Sequence, residues 1–165
     1  MRKRIVGSRP AQHHDESDQS WLDLGQIATV EVTSEDPGFP IESAFDLKSG
    51  PGWRASQTGW RASQKGEQQI RIIFDEPIAL HRIQIRFHET ESARTQEFVV
   101  RCSFAEGRPA EEIVRQQWNF DPGGSTTEAE DYAVNLDAVS GLELVIQPDL
   151  GGNKAIATLA AWRLR

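Results

Sequence analysis

The segment GWRASQTGWRASQKG, Gly52 to Gly66, sets down the pentapeptide WRASQ twice, beginning at Trp53 and at Trp60, in a chain with only five tryptophans. An indole face can stack on the apolar side of a sugar ring, while Arg, Ser and Gln donate hydrogen bonds to hydroxyls or carboxylates. Trp53, Arg54, Trp60 and Arg61 therefore carry the chemistry of a platform for a glycan or an acidic sugar. The same residues have a plainer use. Along a strand the odd spacing puts the two indoles on opposite faces, so one can plug the core while the other stays outside, and the repeat becomes a packed hairpin arm.

A second constellation is HETESARTQ, residues 88–96, with His88, Glu89, Glu91 and Arg94 in one short stretch. A carboxylate and a guanidinium held together can grip vicinal hydroxyls by charge-assisted hydrogen bonds. Without a ligand the pair is a solvated local ion pair worth ~0–1 kcal/mol. His13, His14, Asp15 and Glu16 are metal-ligating types, but a polar arm gives them no fixed geometry. Cys102 alternates in phase with Phe98 and Val100, which makes it a small buried apolar residue and not a nucleophile.

Signatures of catalysis are missing. The sequence has no Gly-x-Ser-x-Gly, no Gly-x4-Gly-Lys, no His-Glu-x-x-His and no paired-cysteine spacing, so no nucleophile elbow, phosphate loop or zinc motif is encoded. A pair of carboxylates for glycoside hydrolysis is defined by separation in space, which sequence leaves open. The expectation is a protein that is not an enzyme.

Around these residues the chain reads as one domain. Its 165 residues suffice to bury roughly 70% of the unfolded surface without disulfides or metals. The single cysteine excludes an internal bridge and favours a reducing compartment; the absence of an apolar run behind the basic start MRKR removes the signal-peptide pattern. Cytoplasmic localisation and no membrane span are the expectations. The net charge is −7, and residues 11–47 hold nine carboxylates and no Lys or Arg, whereas Lys48 to Arg101 holds nine basic and six acidic residues. An acidic shell argues against nucleic acid as a partner. An anionic ligand finds its best reception in the middle of the chain.

Residues 1–20 read as a polar arm and 21–165 as the folded domain. Period-two alternation predicts strands at Gln69 to Asp75, Ile83 to Phe87 beyond an EPIA turn, and Gln96 to Phe104. Further strands are predicted at Ile27 to Val32, Ile113 to Trp118, Tyr132 to Leu136, Leu142 to Gln147 and Ala155 to Leu164, about eight in all. DPGFP, KSGPG, FDEP, EGRP, DPGG and LGGN punctuate them, and one short turn is predicted over Ile41 to Lys48. Trp118 and Trp162 are expected to pack and Trp21 to pin the arm. The pattern is that of an all-β, two-sheet antiparallel sandwich, with jelly-roll, immunoglobulin-like and other Greek-key orders all open.

The order of features selects among these. The turn SAFDLKSG, the loop WRAS, the strand pair GEQQIRIIFDEPIALHRIQIRF, then RTQEFVVRCSF and the closing LELVIQPDLGGNKAIATLAAWRLR together resemble the discoidin, or coagulation-factor type C, domain of the galactose-binding-like jelly rolls, over residues 26–165. The resemblance implies a binding module whose ligands are glycans, phospholipid head groups or proteins, held by loops at one end of the sandwich. It puts the loop after the Arg-x-Arg strand near a sugar, and makes Trp53 the better core candidate of the two repeated tryptophans. It also implies a structural calcium near an Ala-x-Asp turn, completed by a Glu in the last strand. Asp46 matches the turn aspartate, but Ala161 stands where that Glu belongs, and losing a carboxylate weakens a hard-cation site. The expected site is thus Trp60, Arg61, Glu89 and Arg94, with Trp53 and Arg54 beside them. The ligand is a carbohydrate, the alternative being a protein partner of an interaction module; a shallow site of this kind gains avidity if the chain forms a homo-oligomer.

Overall fold

The computed structural model describes residues 20–46 and 59–165. Its strands are β1 (Ala28–Val32), β2 (Trp60–Lys65), β3 (Gln68–His88), β4 (Arg94–Phe104), β5 (Glu111–Phe120), β6 (Thr127–Gln147), β7 (Ile156–Leu159) and β8 (Ala161–Leu164). Every pairing is antiparallel. The alternation of the sequence sets the inward face: Ile70, Ile72 and Phe74, then Ile83, Ile85 and Phe87, then Phe98, Val100 and Cys102 are all buried, while Ile73, out of phase, is 43% exposed.

Two long strands build both layers of a sandwich. The first half of β3 pairs with the second half of β6, from Gln68↔Ile146 to Ile73↔Gly141, and the second half of β3 pairs with the first half of β6, from Ile78↔Val139 to His88↔Thr127. β1 flanks the first region and β4 and β5 extend it beyond β6; β8 flanks the second, at Ile83↔Leu164 to Arg86↔Ala161. The bend lies where the ladder is irregular, between Ile73 and Arg82. Pro77, which cannot donate to a ladder, sits in that gap. Opposite it, Ala138 adopts φ 53, and a Cβ on Gly141 would come within 2.7 Å of the Ile72 carbonyl oxygen, so that position admits only hydrogen.

The number of strands agrees with expectation, but their division differs. Gln69 to Asp75 and Ile83 to Phe87 are one strand, not two joined by a tight turn, and the two segments expected within 132–147 are also one. The expected last strand breaks at Ala160 into β7 and β8, and the second WRASQ forms β2. Ile27 ends a single helical turn, Leu24–Ile27, capped by the Asp23 side chain. The short turn predicted from Ile41 is a 3-10 turn over Ile41–Phe45. Asp-x-Gly turns follow one rule: Asp36, Asp121 and Asp149 each accept the amide of the glycine two residues on, at 2.9 Å. Trp162 is fully buried and Trp118 packs partly against the core. Trp21 lies under the Arg165 guanidinium, 5.3 Å from its ring centroid, and Leu22 donates to the Leu164 carbonyl, which ties the start of the described chain to its end.

The outer face of the β1–β3–β6–β4–β5 sheet carries a charge ladder. Glu31, Arg71, Glu143, Arg101 and Glu112 are successive cross-strand neighbours, and Glu143 receives both Arg71, at 3.1 Å, and Arg101, at 3.5 Å. Among the described residues no helix is long and apolar enough to cross a membrane.

Candidate functional site

At one end of the sandwich a cleft of about 360 Å³ opens between the start of β2, the segment after β3 and the start of β7. Gly59 makes the approach of β2 to β7 possible: a Cβ there would lie 2.0 Å from the Leu159 carbonyl oxygen and 2.6 Å from the Ala160 Cα. With that contact made, Trp60 pairs with Leu159 and Arg61 with Thr158. The Arg61 amide donates to Phe39 and its carbonyl accepts from Asp36, so the 36–39 turn is stitched to the same rim. On the other side, Glu89 donates its amide to Thr126, and Thr158 Oγ1 donates to the His88 carbonyl at 3.5 Å.

The expected site residues part company here. Trp60 is 1% exposed, which corrects its assignment as an open stacking platform. β2 alternates from its first residue, turning Trp60 and Ala62 inward and Arg61 and Ser63 outward; the expectation placed a loop where a strand forms. Trp60 still borders the cleft, as part of its wall beneath the rim. Arg61 is exposed, lines the cleft and lays its guanidinium 6.0 Å from the Phe39 ring centroid. Trp53, Arg54 and the metal-ligating types at residues 13–16 lie outside the described residues.

Arg94 is also corrected, from ligand contact to positioning residue. Its side chain is 2% exposed. Nε donates to Glu89 Oε1 at 3.2 Å and Nη1 to Gln96 Oε1 at 2.9 Å. Nη1 also donates to the Pro148 carbonyl, and the guanidinium covers Phe120 at 4.9 Å. It begins β4, so its side chain points to the buried face that Gln96 and Phe98 share. Glu89 lines the cleft, and its Oε1 accepts from both Arg94 and Ser92, whose hydroxyl donates at 2.6 Å. The pair therefore orients the 89–92 segment.

Behind this pair lies Glu128, a fully buried carboxyl that sequence reasoning did not single out. Burial pushes it up to about 8, neighbouring Glu130 adds to the rise and the Arg94 charge opposes it. Its strand alternates Glu128, Glu130 and Tyr132 with outward residues; nothing in that polar run marks the first of them as interior. Burial likewise pushes the Cys102 thiol to about 11, which keeps it protonated and inert.

Two of the positions that the resemblance assigns to a calcium, Asp46 and Ala161, lie among the described residues. Burial pushes the Arg163 guanidinium down and the charge of Asp46 sustains it, so the turn aspartate already faces a cation. Ala161 brings no carboxylate to the last strand, and the described residues contain no cluster of three or more metal-ligating side chains.

No family profile matches the sequence, and no curated protein matches it. Solved structures do. The family 32 carbohydrate-binding module of C. perfringens NanJ, in complex with galactose, is 15% identical, with TM-score 0.60 over 88% of this chain and 97% of that one. A pectin-binding carbohydrate-binding module is 17% identical, with TM-score 0.57 over 85% and 91%. The F5/8 type C domain of a Bacteroides fragilis protein is 14% identical, with TM-score 0.55 over 88% and 94%. The fold is a discoidin-like, galactose-binding-like sandwich. In this discoidin-like fold, the cleft is formed by the start of β2, the segment after β3 and the start of β7.

Proposed function

We propose that the chain is a non-catalytic carbohydrate-binding module that takes a sugar into the cleft beside Arg61. The observation that carries this reading is the cleft itself. Its volume, about 360 Å³, falls in the range of ~300–1,000 Å³ usual for small-ligand sites. Apolar wall from Phe39, Trp60, Ile156 and Leu159 meets polar rim from Arg61, His88, Glu91 and Lys154, a division that suits a ring with one apolar face and hydroxyls at its edge. The structures of this fold bound to galactose and to 4,5-unsaturated mannuronic acid support the same reading.

A glycan array followed by titration of tryptophan fluorescence tests it. Saturable sugar binding that Arg61→Ala weakens is the expected result. A blank array together with a stable protein partner, detected by light scattering, would replace it with an interaction module.

A further inference from the structure

We infer that the cleft prefers sugars bearing an anionic group, with Arg61 and Lys154 as the cations that receive it; this rests on the carbohydrate reading above. Both residues are exposed and both line the cleft, one from β2 and one from the segment before β7. Neither makes an ion pair with a described carboxylate, whereas Arg71, Arg82, Arg94, Arg101 and Arg115 all do. The cause lies in the register. Arg71 stands opposite Glu143, but Arg61 stands opposite Thr158, an uncharged neighbour.

The acids of the cleft do not cancel these charges. Glu89 is neutralised by buried Arg94, which leaves Glu91 as the one lining carboxylate without a guanidinium partner among the described residues. A chain of net charge −7 thus keeps a locally cationic rim at its cleft. The guanidinium fork of Arg61 matches the two oxygens of a carboxylate and equally those of a sulfate ester, while the Lys154 ammonium adds a point charge that follows either.

Calorimetric titration of the full chain tests this with three probes: galactose oligomers, galacturonate oligomers and sulfated galactose oligomers. One or both acidic probes should bind at least about fivefold more tightly than the neutral one, and that advantage should shrink as salt rises. Arg61→Gln and Lys154→Gln should each lower acidic-probe affinity about fivefold and lower neutral-probe affinity less, so that the acidic preference shrinks, since one exposed charge contact contributes up to ~1 kcal/mol. The relative strength of the two acidic probes identifies the anion. Equal or tighter binding of the neutral oligomer overturns the anionic preference and leaves the carbohydrate reading standing. Binding of none of the three, with every variant retaining the parent thermal midpoint, overturns both.

Discussion

Arginines on the outer sheet face and at the cleft belong to the same solvent-facing class, yet they stand in opposite circumstances. On the sheet, strand register alternates Glu31, Arg71, Glu143, Arg101 and Glu112 across five strands, so each guanidinium meets a carboxylate supplied by the fold. At the cleft, Arg61 faces Thr158 and has no ion-pair partner among the described carboxylates. The contrast teaches that an arginine's role follows from its cross-strand neighbour more than from its exposure. A paired surface charge adds little stability; an unpaired one at the rim of a hollow adds recognition.

The most severe break is Gly59→Ala. The added methyl would overlap the Leu159 carbonyl and force β2 from β7, costing about 3 kcal/mol or more by urea denaturation and removing the surface that displays Arg61. Arg94→Leu comes next. It strands the Glu89 carboxylate and the Pro148 carbonyl, and should cost about 3 kcal/mol while hydrogen exchange speeds up in residues 89–92, on the cleft side only.

Glu128 sharpens the comparison through pH. Its folded pKa, about 8, lies above the ordinary 4.5, so the native state holds a proton that the unfolded chain releases. Stability from this group is full below pH ~4.5 and falls as pH rises to about 8, where the folded carboxyl also ionises. Glu128→Gln should flatten that slope and raise stability at pH 8 by on the order of 2–3 kcal/mol, read from urea midpoints across the range. A parent protein whose midpoint does not decline between pH 5 and pH 8, roughly the window set by the two pKa values, would refute it.

The two smallest effects are expected away from the cleft. Arg71→Gln, on the paired face, should change stability by less than about 0.5 kcal/mol and leave every sugar titration as it was. A chelator should not move the thermal midpoint, because Asp46 already faces Arg163.

Much of this architecture was legible from alternation. The inward sets Ile70–Ile72–Phe74 and Phe98–Val100–Cys102 follow from period two alone, and both are buried. What stayed hidden were continuities and partners. EPIA has the composition of a turn, but the ladder resumes at Ile78↔Val139, a tertiary contact that local sequence does not announce. Of the residues lining the cleft, Arg61 and Glu89 had been singled out by residue type and spacing. Trp60 and Arg94 had been singled out as exposed but are buried, because a side chain's phase depends on where its strand begins. Lys154 lay in LGGNK, read only as a turn; its value comes from a cleft assembled by segments distant in sequence.

β3 and β6 each run unbroken through both layers. Clamshell opening is thereby denied to the molecule, since separating the sheets would tear two shared backbones. A guest meets a doorway of set width, and accommodation of longer or branched guests falls to the swing of side chains around its frame.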